Sequence, residues 1–373
     1  MRSMPLDLIQ SFRNPVIAEK LAKKIHEIAP KDRHIKIMHV CGTHENTISR
    51  FAIRRLLPKN VELIAGPGCP VCICPARDID EAIFLARQKN VILATYGDMV
   101  KTPATETSLW DARANGANVV VVYSAHDAID LARKNPDKEI VFFSVGFETT
   151  TPGIAAEIYD GPPENFSILS SHRLVPPAVD ALLSSDEIKI DGIIAPGHVS
   201  TIIGTKPYEI FPEKYKLPVS VAGFEPLDVL LGVYQILKQI QENKPYVDNE
   251  YFRTVKPEGN VKAQKIMYSV FDVVDAAWRG IGIIPKTGLE VKEKYSVYNA
   301  RKKFEIHLDK PSQDIAPGCS CNKIMLGQIY PDECPMFGRV CTPRKPYGPC
   351  MVSDEGTCRI WYKYGRANLS EVE

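Results

Sequence analysis

Short runs of β-branched residues recur along the chain, each closed by Gly, Pro or polar positions and followed by a stretch whose apolar residues return at helical period. The pattern predicts strands at "HIKIMHV" (34–40), "VELIA" (61–65), "VILAT" (91–95), "NVVVVY" (118–123), "EIVFFSV" (139–145), "FSILS" (166–170), "DGIIA" (191–195) and "LPVSVAG" (217–223). Strands alternating with helices mean parallel sheets, so the expected class is α/β. Eight strands fit one sheet or two, and internal similarity favours two. "CGTHENTISRFAIRRLLPKNVELIAGPGCP" lies over "SSHRLVPPAVDALLSSDEIKIDGIIAPGHV" at an offset of 128 or 129 residues, with His44 on His172 and Cys69 near His198. Identities are few, and a shared βαβ rhythm produces part of the match. The expectation is two similar parallel-sheet (Rossmann-like) α/β domains whose strand-end loops face a common cleft, since ligands of open α/β sheets bind beyond the carboxyl ends of the strands.

"EPLDVLLGVYQILKQIQEN" reads as a helix, and "KPYVDNEYFRTVKPEGN" as a linker or boundary. Beyond it come a helical pattern, "AQKIMYSVFDVVDAAWRG", and a Cys- and Pro-rich tail of poor periodicity. The resulting division is an N-terminal helical segment at 1–32, α/β domains at 33–125 and 126–250, and a helical, Cys-rich region at 251–373.

Composition narrows the function. The chain has 373 residues, 46 basic against 45 acidic, so neither nucleic acid nor an anionic membrane is an expected partner. "MRSMPLDLIQSFRNP" lacks the apolar core of a signal peptide and no run reaches membrane-spanning length, which predicts a soluble, cytoplasmic protein. In a reducing cytosol ten cysteines point to metal binding or redox work rather than structural disulfides. Four lie between Cys41 and Cys74 and six between Cys319 and Cys358.

In "AGPGCPVCICPARDIDEA", Cys69 and Cys72 follow a strand and a Gly-Pro-Gly turn, close to the start of a helix beyond Cys74. A helix N-terminus favours thiolate, so the pair suits dithiol–disulfide cycling; an inert buried turn and half of a zinc site are the competing readings. In "HIKIMHVCGTHEN", Cys41 ends the first strand with His44 and Glu45 nearby, a set suited to a nucleophile with its base or to a transition-metal ligand. A lone strand-end Cys is more often core. "SVGFETTTPG" offers Glu148 with Thr149, Thr150 and Thr151, and "APGHVSTIIG" offers His198, groups able to orient a small polar ligand; "GFEP" ends a further strand. Threonines near helix starts are commonly caps. The tail carries Cys319, Cys321, Cys334, Cys341, Cys350 and Cys358 without a C-x-x-C knuckle or a histidine, which favours an iron–sulfur cluster over a zinc ribbon. The spacing does not choose four ligands from six.

Taken together, "CGTHE", "GPGCPVC", "GFETTTP", "PGHVS" and "CPMFGRVCTP…GPCMVSDEGTC" resemble, in order and over nearly the whole chain, the motif set of the HypD family of NiFe-hydrogenase maturation proteins. The resemblance implies a scaffold on which iron receives two cyanides and one carbon monoxide. It implies that Cys41 holds that iron together with a cysteine of a HypC-type chaperone, and that a HypE-type carrier brings cyanide as a protein thiocyanate. Cys69 and Cys72 match the family's redox pair, and the tail its 4Fe-4S cluster. Cys321, Cys334, Cys341 and Cys358 are the expected ligands with Cys350 the rival, and Cys74 and Cys319 have no assignment. Glu148, Thr149, Thr150 and His198 would hydrogen-bond cyanide nitrogens or shuttle protons, and His44 is the candidate imidazole beside Cys41. A cluster-bearing thiol-disulfide oxidoreductase, with Cys41 dispensable, and a zinc-stabilised interaction module are the alternatives.

Overall fold

The computed structural model describes residues 10–185 and 188–365. The expected N-terminal helix is Pro15–Ile28, capped by Asn14; residues 1–9, which carry most of the stretch read for a signal peptide, lie outside the described residues. All eight expected strands are present: β1 Ile35–His39, β2 Val61–Ala65, β3 Val91–Thr95, β4 Val119–Val121, β5 Glu139–Gly146, β6 Phe166–Arg173, β7 Gly192–Pro196 and β8 Val219–Ala222. Three more were not anticipated. β9, Val247–Asn249, falls in the stretch read as a linker, and β10, Phe271–Trp278, pairs antiparallel with β11, Gly282–Val291. The expected helix around "AQKIMYSVFDVVDAAWRG" ends at Val270, where the chain passes directly into β10 with no Gly or Pro to mark the change.

The strands sort into two sheets. The first, β2-β1-β7-β8-β9, is wholly parallel. In the second, β10-β11-β6-β5-β3-β4, parallel strands β3 to β6 are extended by the antiparallel β10–β11 hairpin through β11 and β6. The chain is therefore α/β with two sheets, but the contiguous division at residue 125 does not describe them. β1 and β2 belong with β7 to β9, while β3 to β6 are inserted between the two halves of the first sheet. A strand's sequence shows that it is buried, not which neighbour completes its hydrogen bonds.

Both sheets share a strand order. Counting only their parallel strands in chain order, each runs second, first, third, fourth, with β9 a fifth in the first sheet, so the order reverses between β1 and β7 in one and between β3 and β5 in the other. Such reversal points open a crevice at the strand ends. The expected overlay of the "CGTHE" stretch on residues 171–200 is not the relation observed: His172 lies inside β6, fully buried and bonded to Ser144 Oγ at 2.7 Å, whereas His44 lies in the helix after β1. The common βαβ rhythm produced that overlay.

Candidate functional site

Cys41 is the N-cap of the helix Gly42–Arg50, at the carboxyl end of β1 and at the first reversal point. Its surroundings come from two distant segments. A Cβ on Gly68 would lie 2.3 Å from the Cys41 nitrogen, and Gly42 N–H donates to Gly68 O at 3.2 Å, so the "CGTHE" and "GPGCPVC" loops lock together through glycines. Gly42 packs on the backbone of Glu355, whose carboxylate Oε1 accepts from Thr43 Oγ1 at 3.2 Å. Burial, followed by the charge of Glu355, pushes the Cys41 thiol up to about 11. At neutral pH it keeps its proton, which suits a sulfur that ionises when a metal displaces the proton better than a free nucleophile.

His44 is fully buried and neutral, because burial brings it down to about 3. Its Nε2–H donates to the carbonyls of Gly223 at 2.9 Å and Ala222 at 3.2 Å, at the end of β8, which leaves Nδ1 as a buried lone pair without a partner. Phe224 stacks against both His44 (centroids 4.9 Å apart) and His198 (3.9 Å). One aromatic ring thus joins the loops after β1, β7 and β8. His198, at the start of the helix Gly197–Ile203, is largely exposed, and what burial it has lowers its basicity.

Glu45 does not serve Cys41. Its buried carboxylate accepts from His39 Nε2 (2.7 Å), Ser49 Oγ (2.6 Å), Arg54 Nη2 (2.7 Å) and Trp361 Nε1 (3.0 Å). Burial opposes its ionisation, yet the Arg54 charge and these donors hold it well below the usual carboxylate range. It is a structural hub between the helix Gly42–Arg50 and the C-terminal helix Thr357–Tyr364.

Across the crevice, Glu148 follows β5 at the second reversal point. Oε1 accepts from Val175 N–H at 2.9 Å and Oε2 is buried without a partner, and burial raises the carboxyl to about 7. Thr149 and Thr150 are exposed, and the Thr150 and Thr151 hydroxyls donate back to Phe147 O at 3.2 and 2.9 Å. Tyr208, buried and bonded to Ser200 Oγ at 3.1 Å, is raised by burial and then by the charges of both Glu148 and Cys41, which places its hydroxyl within electrostatic reach of each.

Cys69 and Cys72 are joined as a disulfide across the single turn Pro70–Ile73, and Cys69 Sγ also accepts from Cys72 N–H at 3.2 Å. They flank a turn of their own rather than opening the next helix, Ala76–Ala86. That turn packs on the segment Pro349–Met351, which contains Cys350. Cys74 is fully buried and pushed up to about 12 by burial and then by Asp78, which makes it an inert thiol.

In the tail, Cys319 Sγ lies 3.3 Å from Cys321 Sγ, and the sulfurs of Cys321, Cys350 and Cys358 are hydrogen-bonded to one another. Bonds from Cys321 and Cys358 lower Cys350, which makes it the favoured thiolate of this group. Cys341 accepts from Tyr347 N–H at 3.4 Å and feels Cys321 and Cys319. Cys334 is buried in the same apolar cluster. All six thiols are free. A donor set of unoxidised thiols, all buried but the half-buried Cys319, has the chemistry of iron–sulfur ligation. The thiols are packed against one another, and among the described residues no group of three or more His, Cys, Asp or Glu side chains is set to hold a metal ion.

The profile described as "HypD: Hydrogenase formation hypA family" matches residues 16–365. The chain belongs to the HypD family. It is 47% identical over 363 residues to a hydrogenase expression/formation protein of Methanocaldococcus jannaschii, covering 95% of this chain and 99% of that one. It is 43% identical over 366 residues to hydrogenase maturation factor HypD2 of Bradyrhizobium diazoefficiens, covering 95% and 96%. With HypD of Azotobacter vinelandii the identity is 41% over 374 residues, 98% of each chain. The protein is a hydrogenase maturation factor of this family.

In this HypD-family chain the fold gathers His44 and His198 around Phe224, sets Cys41 at the N-cap of the helix that carries His44, and places Glu148 at the other reversal point, with Tyr208 in electrostatic reach of both Cys41 and Glu148. Of the tail cysteines, Cys321 and Cys358 lie in the contact group expected of ligands, but so do the rival Cys350 and the unassigned Cys319. Sequence reading did not single out Phe224, Tyr208 or Glu355. "GFEP" marked the strand end that carries Phe224, whereas Glu355 lies 312 residues from its partner Thr43, beyond the reach of any local pattern. No helix among the described residues is long and apolar enough to cross a membrane.

Proposed function

We propose that this chain is the scaffold on which the iron of a NiFe hydrogenase acquires two cyanides and one carbon monoxide, with Cys41 as its anchor on the iron. The observation that carries the reading is the position of the "CGTHE" thiol: buried, still protonated, at the sheet's reversal point, and at the N-cap of a helix whose neutral His44 has an Nδ1 without a partner. Ferrous iron bearing cyanide and carbon monoxide is a soft centre that thiolate suits, and a HypC-type chaperone would supply the second sulfur. A HypE-type carrier would present cyanide as a thiocyanate, whose release as cyanide and a thiol takes two electrons and a proton. Cys69 and Cys72 can give two electrons by closing to a disulfide, the form in which they stand here. Glu148, raised to about 7, can give or take a proton near neutral pH. His198 and Thr149 are the exposed donors available to cyanide nitrogens, whereas the Thr150 hydroxyl is already engaged by Phe147 O. The tail residues that would hold a 4Fe-4S cluster are Cys321, Cys334, Cys341 and Cys358, with Cys350 the rival for one place, and such a cluster would store and pass single electrons.

The test is infrared spectroscopy of the anaerobically purified complex with its chaperone partner, because metal-bound cyanide and carbon monoxide absorb where protein does not. Cys41→Ala should fold normally, retain its tail iron and sulfide, and lose those bands. Bands at wild-type intensity in Cys41→Ala would remove Cys41 as the anchor and leave the thiol-disulfide oxidoreductase as the better reading.

A further inference from the structure

The proposed chemistry consumes electrons, which a partner has to supply. Beside the tail lies a hollow of about 520 Å³ lined by Lys101, Trp110, Arg279, Arg344, Lys345 and Tyr347 among others. Its back wall is thin: Tyr347 N–H bonds to Cys341 Sγ at 3.4 Å, and a Cβ on the next residue, Gly348, would lie 2.6 Å from the sulfurs of both Cys319 and Cys321. One backbone strand separates the hollow from three thiols.

The hollow is electropositive. Lys101, Arg344 and Lys345 are exposed, and none makes an ion pair among the described residues, although Lys101 lies over the Trp110 ring at 5.8 Å. Arg279 is only 2% exposed, yet its guanidinium bonds only to carbonyls, Nε to Asp314 O and Nη1 to Pro103 O, both at 2.7 Å. Bonded to carbonyls rather than to a carboxylate, this buried guanidinium keeps its positive charge beside the thiols, where it acts on Cys319 and Cys350. The two acids in the lining are already engaged: Glu106 pairs with Lys310, and Asp111 caps Ser108. Trp110 is 55% exposed and gives this charged rim an aromatic face, the composition of a protein-binding patch. Residues 334–353 contain no acidic residue before Asp354 and add a further exposed arginine, Arg339.

We propose that this basic hollow is the docking surface of an acidic electron-carrier protein that reduces the sulfur centre behind it. The inference rests on the redox reading of the tail and of the Cys69–Cys72 pair. Two encounters each deliver one electron and leave the carrier oxidised. The two electrons break the Cys69–Cys72 bond, and each sulfur takes one proton from water, giving two thiols. The route inward is short, because the turn Pro70–Ile73 packs on the segment that carries Cys350. Complementary charge gives such an encounter its rate and its salt dependence.

The full chain, purified without oxygen, is mixed with a reduced, acidic two-iron ferredoxin, and the opening of Cys69–Cys72 is followed by trapping the new thiols with an alkylating agent. Dithionite serves as a small reductant that needs no docking. The expected result is a ferredoxin-driven rate that falls with ionic strength and drops about tenfold or more in Arg344→Glu/Lys345→Glu, while dithionite opens both proteins equally. Lys101→Glu, at the opposite rim, should slow ferredoxin in the same direction. An unchanged ferredoxin rate in the charge-reversed proteins overturns the docking proposal alone. So does an inert ferredoxin alongside quenching of Trp110 by millimolar inorganic phosphate, which would make the hollow a small-anion site. If dithionite cannot open the disulfide in the unaltered chain, the redox reading fails and the docking proposal goes with it.

Discussion

Glu148 and Glu45 show how burial sends two carboxyls of one chain in opposite directions. Glu45 faces Arg54, His39, Ser49 and Trp361 and stays ionised, whereas Glu148 has only backbone donors, and burial raises it from 4.5 to about 7. The folded protein therefore binds the Glu148 proton more tightly than the unfolded chain does. Its contribution to stability is fully present below pH 4.5 and is lost as pH rises toward and through 7. Glu148→Gln cannot ionise and should escape that loss. Between pH 5 and pH 8 the stability difference should move in favour of the variant by about 2–3 kcal/mol. Paired denaturant titrations at the two pH values would show it, and parallel pH dependence in the two proteins would refute the raised carboxyl. The residue types at this site were legible in the sequence because they end strands; the environments that give them different charge states were not.

At the scale of elements, the site depends on two loops approaching backbone to backbone. A Cβ on Gly68 would meet Cys41 N and Val40 C, both at 2.3 Å and neither free to move without disturbing β1. Gly68→Ala should cost about 3 kcal/mol and weaken the iron anchoring proposed for Cys41. Gly153, inside the helix Thr151–Tyr159, would place its Cβ in open space, so Gly153→Ala should stabilise by about 0.5–1 kcal/mol. Thermal melts of the two variants make the comparison, and a neutral Gly68→Ala would mean that the loops are not in the contact described. The eight expected strands were readable because each is a compact β-branched run. β10 was not: its burial alternates irregularly and it continues a helix without a break, so its apolar residues merge with the helical pattern before them.

For the molecule as a whole, the inserted second sheet makes the two sheets interdependent. β1 lies between β2 and β7, and β3 lies between β4 and β5, so the segment 33–125 holds one edge of each sheet and lacks the partner of both central strands. Expressed alone, 33–125 should give collapsed amide dispersion and no slow hydrogen exchange, because half of the ladder bonds of β1 and β3 have no acceptor or donor. A dispersed, protected spectrum would show that this segment folds by itself. The Trp361 bond to Glu45 and the Thr43 bond to Glu355 tie the C-terminal region to the first sheet, which gives the tail a role in shaping the Cys41 site.

The sequence by itself determined the alternation of strands and helices, the placing of Cys41, Cys69, Glu148 and His198 at or just past strand ends, and family membership through five ordered motifs. Those features are local, written in periodicity and spacing. Tertiary structure alone decided that β7 rather than β2's sequence neighbour completes β1, that Phe224 joins His44 to His198, that Glu45 turns away from Cys41 toward Arg54 and Trp361, and that Cys319 and Cys350 share the thiol group with Cys321 and Cys358. Each of these is a contact between segments far apart in the chain. The apolar pattern fixes which face of an element is buried, and packing fixes what that face meets.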